Sequence, residues 1–335
     1  SIGSPVVVDV DGNLRWVAPG PEGSLSSTFH DNGFFIGSAE SARLQRLELD
    51  GTMRELPVQI PDVIRFHHTM DPGKQGLLVQ VDAMREGILF LESNAAEIDP
   101  DSGTVLRQWD LGAILARYMQ ERGDDPALFV RPGTDWLHMN AVIYDPRDDS
   151  LIVSSRENFV IKIDYASGEP RWILGDPTKY WYSFPSLAAL SLALQPGDLY
   201  PVGQHAVSIT HDGLLMLFND GLASIGQPAG APVGENRSYS AVSAYAIDAA
   251  QRSAREVWRF DYGQSILSDI CSSAYESDSG NSILVDYAVA DGRTHARLVG
   301  LDAQRRVIFD FEYRTVSCDT SWNAAPIAFD ALNFT

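Results

Sequence analysis

Residues 160–172 read VIKIDYASGEPRW, and this stretch decides the fold. Alternating apolar residues run into a turn built on Asp and Gly, and the chain returns to a Trp, the pattern of a tight β-hairpin with one covered face. Five further copies occur: VVVDVDGNLRW (6–16), LQRLELDGTMREL (44–56), AEIDPDSGTVLRQW (96–109), YAIDAAQRSAREVW (245–258) and LVGLDAQRRVIFDF (298–311). Their turn aspartates, Asp11, Asp50, Asp99, Asp164, Asp248 and Asp302, are spaced by 39, 49, 65, 84 and 54 residues. Propeller blades repeat every 40 to 50 residues or so, and the longer gaps leave room for insertions.

Upstream of several copies lies a second hairpin strand after a polar turn: GLLVQV (76–81), DSLIVSS (149–155), DGLLMLF (212–218) and NSILVDY (281–287). Two hairpins make a four-stranded blade. The first copy has no inner hairpin before it, and the tail from Tyr313 to Phe334 has strand-like residues without an outer hairpin. The expectation is an all-β chain, a single six-bladed β-propeller over 1–335, whose last blade joins N- and C-terminal strands and so leaves no open sheet edge. Short helical insertions are expected at about 111–135, through AILARYMQER, and at about 176–203, which carries Tyr180, Trp181, Tyr182 and Phe184. Two readings of the insertions stay open: a lid or funnel wall with aromatic clamps for a ligand, or surface helices packed on the ring.

The 335 residues are 44% hydrophobic and 21% charged, enough apolar material for a core. The longest apolar stretch, Leu187 to Leu194, is broken by serine and too short to span a bilayer. With 25 basic against 45 acidic residues the net charge is −20, which repels a phosphate backbone and argues against nucleic acid as a partner. Only Lys74, Lys162 and Lys179 are lysines, so a cationic site falls to arginine. Cys271 and Cys318 have no Cys-x-x-Cys spacing, and a disulfide or two buried thiols are equally open. The chain starts at Ser1 without a basic-then-apolar leader, as expected where a signal peptide has been removed or the chain trimmed.

Seven histidines occur, and three share a repeated place. His68 and His205 each stand eight residues before a Gly-Leu-Leu strand, and His138 opens the matching strand of the intervening blade. Such positions converge on the propeller axis at the mouth of the innermost strand. Strand alternation selects His68 over its neighbour His67 as the inward residue. Folding the next hairpin about Asp145–Asp149 returns Arg156 to the side of His138, and Asn140, two residues on, shares the face of His138. Three imidazoles, a guanidinium and a carboxamide suit an oxyanion: Arg offers a planar fork of donors, and His donates, accepts or attacks near neutral pH. His30, His67, His211 and His295 read as structural or exposed residues.

The words DWLHMNAVIYDPRDDSLIVSSRENFVIKIDYASGEPRWILG (135–175) and GQHAVSITHDGLLMLFNDG (203–221) resemble the bacterial arylsulfate sulfotransferases that need no adenylated sulfate donor. The likeness extends in order through VVVDVDGNLRW, FHHTM (66–70), VLRQWDLGAIL (105–115) and SYSAVSAYAIDAAQRSAREVWRF (238–260), and so covers most of the chain. It implies sulfuryl transfer from a phenolic sulfate ester to a phenol by a six-bladed propeller. It places the nucleophile on His205 of Gln-His and matches His138 and Asn140 to His-x-Asn. Arg156 matches the Ser-Ser-Arg arginine, and His68 the early His-His pair. The resemblance further implies a periplasmic or secreted setting and a Cys271–Cys318 disulfide, and it leaves a homodimer open. Two departures stand out: no room for the N-terminal β-sandwich of family members, and Ala241 where the family carries arginine after Tyr-Ser, which bears on donor range or activity.

On this reading no cofactor and no metal is expected. The partners are small molecules, an aryl sulfate donor and a phenol acceptor. A metal-dependent tri-histidine site is the rival enzyme reading. Arg156 beside the histidines would repel a cation, and no carboxylate falls at their register. A non-catalytic binding platform is the other rival, and it leaves the His and Arg cluster unexplained.

Overall fold

The computed structural model describes residues 4–18, 26–316, 318, 321–328 and 332. Strands β1 (Val6–Val8) and β2 (Leu14–Val17) form a two-stranded hairpin. Four-stranded antiparallel sheets follow. The first holds β3 (Ser26–His30), β4 (Gly33–Gly37), β5 (Leu44–Glu48) and β6 (Met53–Leu56). The second holds β7 (Val63–Pro72), β8 (Leu77–Arg85), β9 (Ile88–Ile98) and β10 (Val105–Asp110), the third β11 (Met139–Asp145), β12 (Ser150–Ser155), β13 (Val160–Asp164) and β14 (Pro170–Leu174). In the fourth, a short strand β15 (Ala193–Leu194) runs parallel to the outermost of β16 (Gln204–Ile209), β17 (Leu215–Asn219), β18 (Ala241–Asp248) and β19 (Ser253–Phe260). The fifth holds β20 (Ser273–Glu276), β21 (Ser282–Val289), β22 (His295–Asp302) and β23 (Val307–Arg314).

The molecule is therefore an all-β propeller with five complete blades among the described residues, and the expected count of six is corrected to five. All six outer hairpins form where the turn aspartates place them. Five inner hairpins form, not four, because the first blade has its own across Asp31 and Asn32, both left-handed with φ 48° and 59°. These values suit the primed turns that match strand twist. Among the described residues the sixth unit is the β1–β2 hairpin, which touches both ends of the array. Trp16 stacks on Phe34 of the first blade at 5.0 Å, and Gly12 sits against Phe311 of the last. Of the tail expected to complete that blade, Tyr313 and Arg314 belong to β23, and the described residues beyond carry no strand. Its remaining residues, 317, 319–320, 329–331 and 333–334, lie outside the described residues.

The first strands pack side by side, β3 on β7, β7 on β11, β11 on β16 and β16 on β20, so each blade presents its opening strand to a common axis. Apolar cores fill the wedges between blades, for example Phe35, Leu77 and Ala96 between the first and second. The first insertion is helix α1 (Leu111–Gln120), capped by Asp110, whose carboxylate accepts from the Ala113 amide at 2.9 Å. Leu111, Leu115, Tyr118 and Met119 recur at helical spacing and are buried. They join one core with Phe129, Trp136, Trp181, Phe184 and Leu187. The insertions thus pack on the ring. Of the two open readings of the aromatics, core packing accounts for Trp181 and Phe184, which are buried, the Trp181 indole N–H donating to the Asp176 carbonyl at 2.9 Å.

Candidate active site

Three of the five innermost strands, β7, β11 and β16, are broken near their axial mouths. In β7, His68 and Thr69 lie unpaired between the His67–Gln80 and Met70–Val79 pairs. The register of β16 slips between His205 and Ser208, and that of β11 slips between Met139 and Ala141. Bulges of this kind re-aim side chains and are frequent beside active sites. Left-handed residues mark them: His68 at φ 51°, His138 at 49° and Ala206 at 50°. Such values are uncommon away from glycine.

His68, Asn140 and His205 line one small cavity, together with Thr69, Cys271 and Trp322. His205 is buried, and its Nδ1 lies 2.9 Å from the Gly203 carbonyl. A carbonyl only accepts, so Nδ1 carries the proton and Nε2 keeps its lone pair. Burial, then the positive charge of Arg156, lower the His205 pKa to about 3. His205 is thus a neutral imidazole near pH 7. Gly203 stands at φ +59°, where Asp220 fills the space a Cβ would need. This gives Gly-Gln-His a physical reason.

Arg156 returns to His138 as expected: its backbone N–H donates to the His138 carbonyl at 3.0 Å. Its guanidinium is buried and paired with Glu157 at 3.0 Å and Asp220 at 3.2 Å. Asp220 in turn lies 3.8 Å from Nδ1 of His205, so one buried carboxylate joins the arginine to that histidine. The Asn140 amide donates to the Gln204 carbonyl at 2.7 Å, while its Oδ1 is buried without a partner, as in a site that awaits a ligand.

The rings of His68 and His138 meet edge to face at 5.3 Å. His67 is not a detached structural residue: its Nδ1 lies 2.9 Å from Nδ1 of His68, a contact strict strand alternation forbids and the bulge permits. Burial lowers both pKa values, His67 to about 4 and His68 well below the usual range. His138 differs. Burial opposes its charge, but the carboxylates of Glu92 (3.2 Å) and Asp135 (2.5 Å) face its Nδ1 and raise its pKa.

Carboxylates therefore do flank the histidines, contrary to the sequence expectation, and they come from β9 and from the end of the first insertion. The tri-histidine metal site does not assemble: among the described residues, the groups able to share an ion are His67, His68 and Glu92, and Glu92, Asp135 and His138, neither including His205. Sequence reasoning missed Glu92, Asp135, Asp220 and Trp322. The Asn-Asp-Gly after β17 was a usable signal for Asp220, and the other three share no register with the histidines. Cys271 and Cys318 are joined as the resemblance implied, with Cα atoms 6.4 Å apart. Cys318 and Trp322 pack beside Cys271, and Trp322 lies 5.4 Å from the His68 ring.

Fold and site together define a β-propeller that gathers imidazoles, a carboxamide and a buried guanidinium where its inner strands open. Residues 2–325 match the family model described as arylsulfotransferase (ASST), and the chain belongs to that family. It is 28% identical over 242 residues to the arylsulfate sulfotransferase AssT of Escherichia coli O6:H1, covering 60% of this chain and 39% of that protein. Against the arylsulfate sulfotransferase AssT of Lelliottia amnigena it is 26% identical over 193 residues, 49% of this chain and 31% of the relative. The chain thus spans well under half the length of both relatives in these matches.

Proposed function

We propose that this chain moves a sulfuryl group from an aryl sulfate ester to a phenol, in two half-reactions through a sulfohistidine on His205. The observation that carries this reading is the Nδ1–H of His205 held on the Gly203 carbonyl, which leaves a neutral Nε2 at the cavity as nucleophile. In the first half-reaction Nε2 bonds to sulfur, the sulfur–aryl oxygen bond breaks, and protonated His138 gives its proton to the departing oxygen. In the second, the acceptor phenol returns a proton to His138 and attacks sulfur, releasing His205. The second N–H of the Asn140 amide and the His68 ring hold sulfonate oxygens, and Arg156 contributes positive charge behind His205. Trp322, which lines the cavity, stacks on the aryl ring, a role that Tyr180, Trp181, Tyr182 and Phe184 do not fill there.

The Cys271–Cys318 bond suits an oxidising compartment, and we place the protein in the periplasm or outside the cell. No helix among the described residues is long and apolar enough to cross a membrane. The test is incubation with 4-nitrophenyl sulfate and no acceptor. One sulfuryl group, about 80 Da, should appear on His205 under neutral or alkaline handling. His205→Ala should abolish adduct and turnover together. An adduct on His68 or His138, or normal transfer by His205→Ala, would overturn the assignment.

A further inference from the structure

Two carboxylates converge on a single nitrogen. Asp135 Oδ2 lies 2.5 Å and Glu92 Oε2 3.2 Å from Nδ1 of His138. The same Glu92 reaches His68 Nδ1 with its other oxygen at 4.0 Å. Glu92 is aimed there by strain, since it stands at φ 45° where the β8–β9 register slips, and its amide is held by Asp82 Oδ1 at 2.7 Å. Glu92 Oε2 and Asp135 Oδ1 are buried without hydrogen-bond partners. An imidazole offers one N–H on that edge, so the pair presents more acceptor than the ring can satisfy. Buried acceptors in excess favour the protonated ring.

We infer that Glu92 and Asp135 are positioning residues that hold the Nδ1 proton of His138 and thereby present its Nε2–H to the departing aryl oxygen. This rests on the sulfuryl-transfer reading above. During the first half-reaction the Nε2 proton moves to the aryl oxygen as the sulfur–oxygen bond breaks and the His205 nitrogen–sulfur bond forms. The Nδ1 proton stays on the carboxylates' side throughout, and the acceptor phenol restores the Nε2 proton. A shared metal ion fits the geometry less well. Two ligands at 2.0–2.1 Å in a tetrahedral shell sit about 3.3 Å apart, whereas 2.5 Å between Nδ1 and Oδ2 is a hydrogen-bond distance.

The charged and titratable groups around His138 are Asp135 on its own segment, His67 and His68 on β7, Asp82 on β8, Glu92 on β9, Arg156 after β12 and His205 on β16. Burial raises the Glu92 pKa to about 8, so this carboxyl competes with His138 for a proton.

The experiment has two arms. Ring 15N NMR titration of His138 needs no turnover; Asp135→Asn and Glu92→Gln should each lower its pKa, with a roughly tenfold or greater loss of proton affinity. In the second arm, phenyl sulfate, a poor leaving group, should lose about 30- to 100-fold in kcat/KM, and 4-nitrophenyl sulfate, which needs little acid help, under about fivefold. Glu92→Asp and Asp135→Glu, which keep the charge, should recover part of the phenyl sulfate rate. Equal losses on both donors, or an unmoved His138 pKa, would overturn the inference, as would a stoichiometric divalent cation on these residues that activity requires. If the unsubstituted chain transfers no sulfuryl group while His138 titrates as stated, the functional reading fails and the proton clamp stands.

Discussion

The carboxylate of Asp220 occupies the place where a Cβ on residue 203 would stand, so any side chain at the left-handed Gly203 must displace it. The Gly203 carbonyl is also what fixes the His205 tautomer. Gly203→Ala should strain a left-handed backbone by roughly 1 kcal/mol and push Asp220 or the carbonyl aside. Displacement of an attacking atom by an ångström costs about 100-fold, and the rate of adduct formation with donor alone should fall by that order. Unchanged adduct formation in Gly203→Ala would show that the carbonyl does not set the tautomer.

In the proposed mechanism the two central histidines, pushed in opposite directions, set the pH dependence of kcat/KM. His205 acts unprotonated, and with a pKa lowered to about 3 it stays competent well below the usual histidine range. His138 acts protonated, and the Glu92 and Asp135 carboxylates, which outweigh its burial, let it keep its proton to higher pH than an ordinary imidazole. Activity should hold through pH 5 to 6, where an ordinary histidine nucleophile would already be lost, and decline as pH rises through the raised His138 value. An acid limb centred near 6.5 in the pH profile would contradict the buried, neutral His205.

How much of this was legible follows from the range of each signal. Asp164 and Gly168 write their turn locally, so the outer hairpins could be read off, and the shared register of His68 and His205 was visible because blades repeat. Asp31 and Asn32 form as local a turn, and their hairpin raises the complete blades to five without help from the tail. What strand alternation could not show were the bulges, which bring His67 onto His68. Glu92 and Asp135 come from an adjacent strand and an insertion with no common spacing to His138, so only three-dimensional packing unites them.

Trp322 reaches the cavity from the tail, and the Cys271–Cys318 bond fastens that tail four residues before it. Closing a loop of separation 47 is worth about 4 kcal/mol in the chain-entropy model. Cys318→Ser should lower the thermal midpoint and, by loosening Trp322, raise KM for aryl sulfates more than it lowers kcat. Trp322→Ala should raise KM by about tenfold with the disulfide intact. Thiol titration of the denatured, unreduced protein should find no free sulfhydryl. Two free thiols, or a Trp322→Ala enzyme with normal KM, would remove the link between the bond and the site.

Arg156 separates stability from chemistry. Its guanidinium is buried between Glu157 and Asp220, and removal of one partner from such a cluster typically costs about 3–5 kcal/mol, because the carboxylates left behind keep their desolvation penalty. Arg156→Ala should therefore lower both the thermal midpoint and the rate of sulfohistidine formation, whereas His205→Ala should affect chemistry far more than folding. Pairing Arg156→Ala with Asp220→Asn removes the buried carboxyl that faces both Arg156 and His205, whose pKa burial raises to about 7 even with Arg156 in place. Stability should partly return in the double variant. The rate should not, because the positive charge that lowers the His205 pKa and offsets the sulfonate charge is still missing. Recovery of rate in parallel with stability, measured by urea titration and adduct kinetics on the same preparations, would reduce Arg156 to a structural residue.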